Sequence, residues 1–365
     1  MDYHFIIVAW GQDYLRQFFD FCVPTLLAPG NLPAFADLKG ASFRIYTASD
    51  DVPAINAEPA YAALQKAIDT RLIASPILKT ANKYAAMTTS HNHAIHCAYE
   101  RDAAMVFLSP DCLWADGAFA AMRRTAETGK RAVMLDTLRC DREACIAALA
   151  DRFAGAEDHA VAIAPRQLVQ LSLQYMHPYT ESLFWDSPNY NRTASHVYWP
   201  VGDEGLIARS FHLHPLLIYP KRKGVYLDAT VDTDYYAHVC PDFEDLHVVE
   251  DSDQIAALEM TSTREPSVAC HIKPNGSTQL RERNGHPSLP ADTDLKAVAI
   301  AYFGRQKANV YHRRFLQHTI RMHVADVSPA WQPVQEQSDQ VVGQIDAWLD
   351  RDPKAVLDEL FAGRL

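Results

Sequence analysis

Met105-Val-Phe-Leu-Ser-Pro-Asp-Cys-Leu-Trp-Ala-Asp-Gly117 is the stretch from which the fold is read. The apolar run from Ala103 to Leu108 has the length and composition of a buried strand. Ser109-Pro110-Asp111 ends it, because proline has no N–H to give to a sheet ladder. The strand end is therefore expected to carry Asp111. Asp116-Gly117 then turns the chain into Ala118-Phe-Ala-Ala-Met122, which reads as a helix. Open parallel sheets bind ligands beyond the carboxyl ends of their strands, which makes Asp111 a candidate ligand contact. Asp is also a common turn former, so a plain capping role is the alternative.

Working outward, apolar runs and helical patterns alternate. Phe5 to Ala9 reads as a buried strand and Tyr14 to Leu27 as a helix. Pro29-Gly30-Asn31-Leu32-Pro33 is a break, and Ser42 to Thr47 a second strand. Ala60 to Leu72 is helical in pattern, and Leu72 to Leu78 reads as a short strand interrupted by Pro76. Lys83 to Tyr99 reads as a helix, with Lys83, Met87, His91, Ala94 and Ala98 on one side. Arg131 to Asp136 reads as a strand; Asp141 to Phe153 and Arg166 to Met176 read as helices. Such alternation predicts a mostly parallel sheet flanked by helices.

The 365 residues suffice for two domains, or one large one with an extension, and 48% apolar residues allow a sizeable core. A net charge of -11 argues against nucleic-acid binding, which needs a basic face. Seven cysteines, an odd number without a Cys-x-x-Cys pair, argue against a disulfide scaffold and for a reducing compartment. No basic leader with a long apolar core is apparent, and no window is apolar enough to span a bilayer. A cytoplasmic protein is expected. No Gly-x-Gly-x-x-Gly follows the first strand and no Walker-type loop occurs, so dehydrogenase and P-loop readings lack support.

The order helix 83–99, apolar strand, acidic turn, glycine, helix resembles the centre of GT-A-type glycosyltransferases. Those enzymes carry an Asp-x-Asp motif after the corresponding strand, and its last Asp holds a divalent cation against the donor diphosphate. Ser109-Pro110-Asp111 keeps only that last acid. The resemblance implies a GT-A-like, Rossmann-related catalytic domain over 1–260. A linker or irregular loop at 261–292 and a helical C-terminal extension over 293–365 follow it. It also implies a metal-assisted glycosyltransferase taking a nucleotide-diphospho-sugar such as a UDP-sugar, with Mn2+ or Mg2+ as cofactor. Donor contacts would come from Trp10, Asp13, Asp50, Lys83, His91, Ser109 and Asp111. Packing for Trp10 and helix capping for Asp50 and Asp51 are the alternatives.

Two later segments complete the expected site. Trp199 to Arg209 resembles the Glu-Asp motif of inverting GT-A enzymes, in which an acid pair opens a helix. Here the order is Asp203-Glu204, and one of the two would be the base toward the acceptor. Ser210 to Pro220, read as a strand, puts His212 and His214 on one face, and either would join Asp111 at the cation. Tyr226 to Tyr236 places Asp228, Asp232 and Asp234 at even-numbered separations, on one face if it is a strand; the Asp232-Thr233-Asp234 pair is a second candidate for acceptor or cation, and these three acids are the reserve for the base. Val341, Ile345 and Leu349 mark an amphipathic helix in the tail, open to homodimer formation or protein docking. The acceptor, whether glycan, lipid-linked or protein, is not specified. A sugar-nucleotidyltransferase and a non-catalytic scaffold of the same fold are the alternatives.

Overall fold

The computed structural model describes residues 1–79, 82–154, 156, 159–187, 196–264, 310–349, 351–352 and 355. The strand read from Ala103 to Leu108 lies in the middle of a seven-stranded sheet, and every one of its residues is buried. In chain order the strands are β1 (Asp2–Val8), β2 (Ala41–Thr47), β3 (Asp69–Ala74), β4 (Ala103–Leu108), β5 (Cys112–Trp114) and β6 (Ala132–Leu135). β7 (Leu138–Asp141), β8 (His196–Pro200), β9 (Gly205–Ser210), β10 (His214–Ile218), β11 (Leu246–Val248), β12 (Ala257–Thr261) and β13 (Ile320–His323) follow. The main sheet runs β11-β6-β10-β4-β1-β2-β3. All its pairings are parallel except those of β10, which enters antiparallel between β4 and β6. The α/β class with a mainly parallel, helix-flanked sheet is thus as expected from the sequence.

Alternation within β1 explains the two layers. Phe5 and Ile7 pack with Leu15, Phe18, Leu64 and Phe119 on one face. Ile6 and Val8 pack with Ala94, Ile95 and Ala98 of the helix Lys83–Arg101 on the other. Asn82 starts that helix by accepting the Tyr84 N–H, and Asp102 in the left-handed region ends it. The 14–27 helix is one continuous run, Gln12–Gln17, a π-turn at Phe18–Cys22, then Val23–Leu26.

Two smaller sheets, β5-β12-β7 and β13-β9-β8, flank the main one. Neither was expected. β7 reads Leu-Arg-Cys-Asp and β5 Cys-Leu-Trp, too short for a periodic signal. The helix expected over Ala60 to Leu72 stops at Ala67, and β3 takes Asp69–Ala74. That strand is an edge, only half buried, so its polar residues resemble a helix face. The described part of 293–365 is not helical throughout. β13 pairs with β9, and the helix Trp331–Leu349 packs Val341, Val342 and Ile345 into the cluster formed by Trp199, Ile207 and Phe211. Residues 188–195 and 265–309, which hold most of the expected linker and the start of the expected extension, lie outside the described residues, as do 350–365 apart from 351, 352 and 355. No helix among the described residues is long and apolar enough to cross a membrane.

Candidate functional site

At the carboxyl end of β4 the chain leaves the sheet, and β10 begins beside it. A cavity of about 400 Å³ opens there, between the main sheet and the β5-β12-β7 sheet. Ser109 enters it from the end of β4, His212 and His214 from the start of β10, and Asp232 from the loop beyond. Arg139 and Glu259 line it from β7 and β12, and His196 from β8.

Asp111 sits at the turn as the sequence indicated. The Ser109 hydroxyl donates to its Oδ1. Burial, then the nearby Glu259, push its carboxyl up to about 7. His212 is not in a strand, since β9 ends at Ser210 and β10 begins at His214. The Ser210 hydroxyl ties this corner by donating to the His212 carbonyl, while the His212 N–H donates back to Ser210 Oγ at 3.0 Å. The imidazole Nε2 of His212 lies 3.5 Å from Asp232 Oδ2. Burial alone raises the Asp232 carboxyl, but hydrogen bonds from His212 and Thr230 outweigh it and hold it well below the usual range. His214 Nε2 lies 3.3 Å from the Phe107 carbonyl.

The three residues expected to share a cation are therefore turned to other partners. Asp111 takes Ser109, His212 takes Asp232, and His214 takes a backbone carbonyl. Among the described residues no group of three His, Cys, Asp or Glu side chains has metal-holding geometry. The donor set does not fit a cation shared in that way, and no step below is routed through one.

His91 lines the cavity from the 83–101 helix, edge-on to Phe107 at 5.4 Å, and burial lowers its imidazole to about 4. Lys83 is exposed at the start of that helix, 5.1 Å from the Tyr84 ring. Trp10 packs against the core. Asp13 is exposed in the first turn after β1. Asp50 is exposed and pairs with Lys79 at 2.9 Å, while Asp51 accepts the Gly11 N–H at 2.8 Å. Neither acid caps the following helix through its side chain. Asp51 instead ties the loop after β1 to the end of β2.

The acid pair is placed elsewhere. Val201 to Glu204 is the turn of a β8–β9 hairpin, not the start of a helix. The two glycines explain the difference: Gly202 at φ 50° and Gly205 at φ 140° hold a turn that a helix does not permit. β9 has six residues, so at about 3.3 Å per residue the turn lies roughly 17 Å from its Ser210 end, beyond which His212 lines the cavity. Glu204 Oε2 accepts the Trp331 indole N–H at 2.8 Å, and Glu204 O accepts the Val324 N–H at 2.7 Å. Glu204→Gln is thus expected to leave turnover near wild type and to cost about 1 kcal/mol of stability, from a weakened charge-assisted hydrogen bond. Parallel turnover assays and denaturant melts check this.

Three residues not singled out from the sequence, His196, Arg139 and Glu259, line the cavity, and a fourth, Asp136, pairs with His196. Asp136 ends β6 as Asp111 ends β4; the Tyr198 hydroxyl donates to its Oδ1 at 3.2 Å and His196 Nε2 lies 3.5 Å away. Burial pushes the Asp136 carboxyl up to about 7 and the His196 imidazole down to about 3. Arg139 pairs with Glu259 at 2.7 Å, its guanidinium 5.0 Å from the Tyr179 ring centre. The rule applied to Asp111, an acid closing a buried apolar strand, was the available signal for Asp136. Arg139, Glu259 and His196 had none.

No protein-family model matches this sequence, and no curated protein does. Among solved structures, S. aureus TarS aligns with 96% of this chain and 50% of its own, at 10% identity and a TM-score of 0.37. A putative glucose-1-phosphate thymidylyltransferase from Bacillus anthracis, in complex with a sucrose, aligns with 38% of this chain and 55% of its own, at 13% identity and a TM-score of 0.24. The chain spans about half the length of each. Likeness at this level carries no argument about activity, and the functional reading rests on the cavity.

Proposed function

We propose that the chain is a glycosyltransferase taking a nucleotide-diphospho-sugar, with the sugar held over Ser109 and Asp111. The observation that carries this reading is Asp232, held by His212 at 3.5 Å, in the cavity that Leu108 to Pro110 at the end of β4 also line. In the reaction the acceptor oxygen bonds to the anomeric carbon as its proton passes to the Asp232 carboxylate. The bond from that carbon to the diphosphate oxygen breaks, and its electron pair leaves with the nucleoside diphosphate. Asp232 is a weak base in the ground state and acts as the acceptor proton becomes acidic in the transition state. His212 keeps the carboxylate turned toward the cavity. Asp203 and Glu204 have no part in this scheme.

A panel of UDP-, GDP- and TDP-sugars, scored for hydrolysis and transfer, tests the class. One donor is expected to release its nucleoside diphosphate, and Asp111→Asn to weaken its binding. Release of pyrophosphate from a nucleoside triphosphate and a sugar phosphate would assign a nucleotidyltransferase instead. Absence of binding by any nucleotide would overturn both.

A further inference from the structure

Arg139 is the one Lys or Arg side chain lining the cavity among the described residues. Strand register explains its place. Glu259 of β12 pairs with Cys112 of β5 on one side and with Arg139 of β7 on the other. The three residues form a row across the small sheet, beginning directly after Ser109-Pro110-Asp111. Residues opposite each other on paired strands share a face, so the row turns its side chains to one side, where all three line the cavity.

We infer that Arg139 is an oxyanion-binding group and receives the diphosphate of the donor as the sugar departs. This rests on the reading above and adds what balances the leaving charge. A guanidinium has five donors in a planar fork and stays charged at any working pH. Glu259 engages one terminal nitrogen, and Tyr179 lies against the ring of donors. The Nε of Arg139 is buried with no hydrogen-bond partner among the described residues. Buried N–H groups are rarely left unbonded, so a ligand oxygen is the expected partner. The acids around the guanidinium each have a partner or a proton, Asp232 being held by His212 at 3.5 Å. Glu259 is already neutralised by Arg139, and Asp111 holds its proton up to about 7. The positive charge that the sequence led us to seek in a divalent cation is thus supplied in part by a resident side chain.

Titration calorimetry with inorganic pyrophosphate, inorganic phosphate and UDP, each in excess EDTA, tests the inference. Wild type is expected to bind pyrophosphate without metal and more tightly than phosphate. Arg139→Gln is expected to weaken pyrophosphate binding about tenfold or more. Glu259→Gln frees the fork without changing its shape and is expected to tighten binding severalfold, which keeps the test decisive if the arginine variant misfolds. Unchanged pyrophosphate affinity in Glu259→Gln, or in a folded Arg139→Gln, overturns the inference. So does binding that appears only with Mn2+; either result leaves the glycosyltransferase reading standing. Phosphate bound through Arg139 as tightly as pyrophosphate, and not displaced by UDP, would assign the anion to the acceptor and overturn the diphosphate assignment. If neither pyrophosphate nor any nucleoside diphosphate binds with or without metal, both the inference and the reading fail.

Discussion

Asp232→Asn is expected to lower kcat by roughly 10²- to 10⁴-fold, the range for removing a general base. The amide is nearly isosteric and keeps an acceptor oxygen toward His212, so the corner at Ser210 to His214 should hold its shape. Donor affinity is expected to stay near wild type, because the carboxylate touches the acceptor proton and not the diphosphate. His212→Ala, which removes the group that fixes the carboxylate at 3.5 Å, is expected to lose less. Single-turnover kinetics with the donor found in the panel, alongside nucleotide titration, separate the two quantities. A kcat within a few-fold of wild type in Asp232→Asn would remove Asp232 from the mechanism. His196 with Asp136 would then be the next imidazole–carboxylate pair to test, since its imidazole lines the same cavity.

Gly205→Ala is expected to destabilise the protein by about 3 kcal/mol or more, from a strained backbone and a steric clash together. Its φ of 140° is a region L side chains rarely adopt, and an added methyl would lie well inside contact distance of the Met322 carbonyl oxygen. Met322 belongs to β13, which pairs with β9 through Gly205–His323. Relief therefore means moving β9 away from β13. Gly202→Ala, three residues earlier in the same turn, is the control. Its φ is 50°, and a Cβ there meets nothing within 4 Å, so a loss of about 1 kcal/mol is expected. Urea melts of both variants give the comparison. Equal losses would show that the β9–β13 contact is not what requires glycine at 205.

What was legible in the sequence is what a buried parallel sheet writes into a local run. Ala103 to Leu108 is apolar throughout because both its faces are covered, and Pro110 marks where the ladder stops. Asp111 at the strand end followed from that. The antiparallel entry of β10 did not, because a short strand whose last four residues are apolar looks the same in either direction. The helix expected at Asp203-Glu204 failed for a local reason: acids before an apolar run suit a helix start and a hairpin turn alike. Here the flanking glycines at positive φ decide for the hairpin. Arg139 and Glu259 were illegible for a different reason. They are far apart in the chain and meet only through the register of β7 with β12. Asp232 stood among three acids of one short segment, and only the packing of its loop beside His212 distinguishes it from Asp228 and Asp234.

The order in which the β13-β9-β8 sheet is completed also bears on synthesis. β9 is the middle strand, and its last partner lies far along the chain, at Ile320–His323. On the ribosome the main sheet has all its strands once Val248 has emerged, yet β9 still presents an open edge. That edge leads directly into Ser210 and His212, so this wall of the cavity is last to set. Pairing at such separation is slow, and an uncovered strand edge invites pairing between chains in the interval. A nascent chain arrested before residue 320 would then be a folded but incomplete intermediate, prone to self-association through β9. Chaperone demand should be greatest while residues 249–319 are being made.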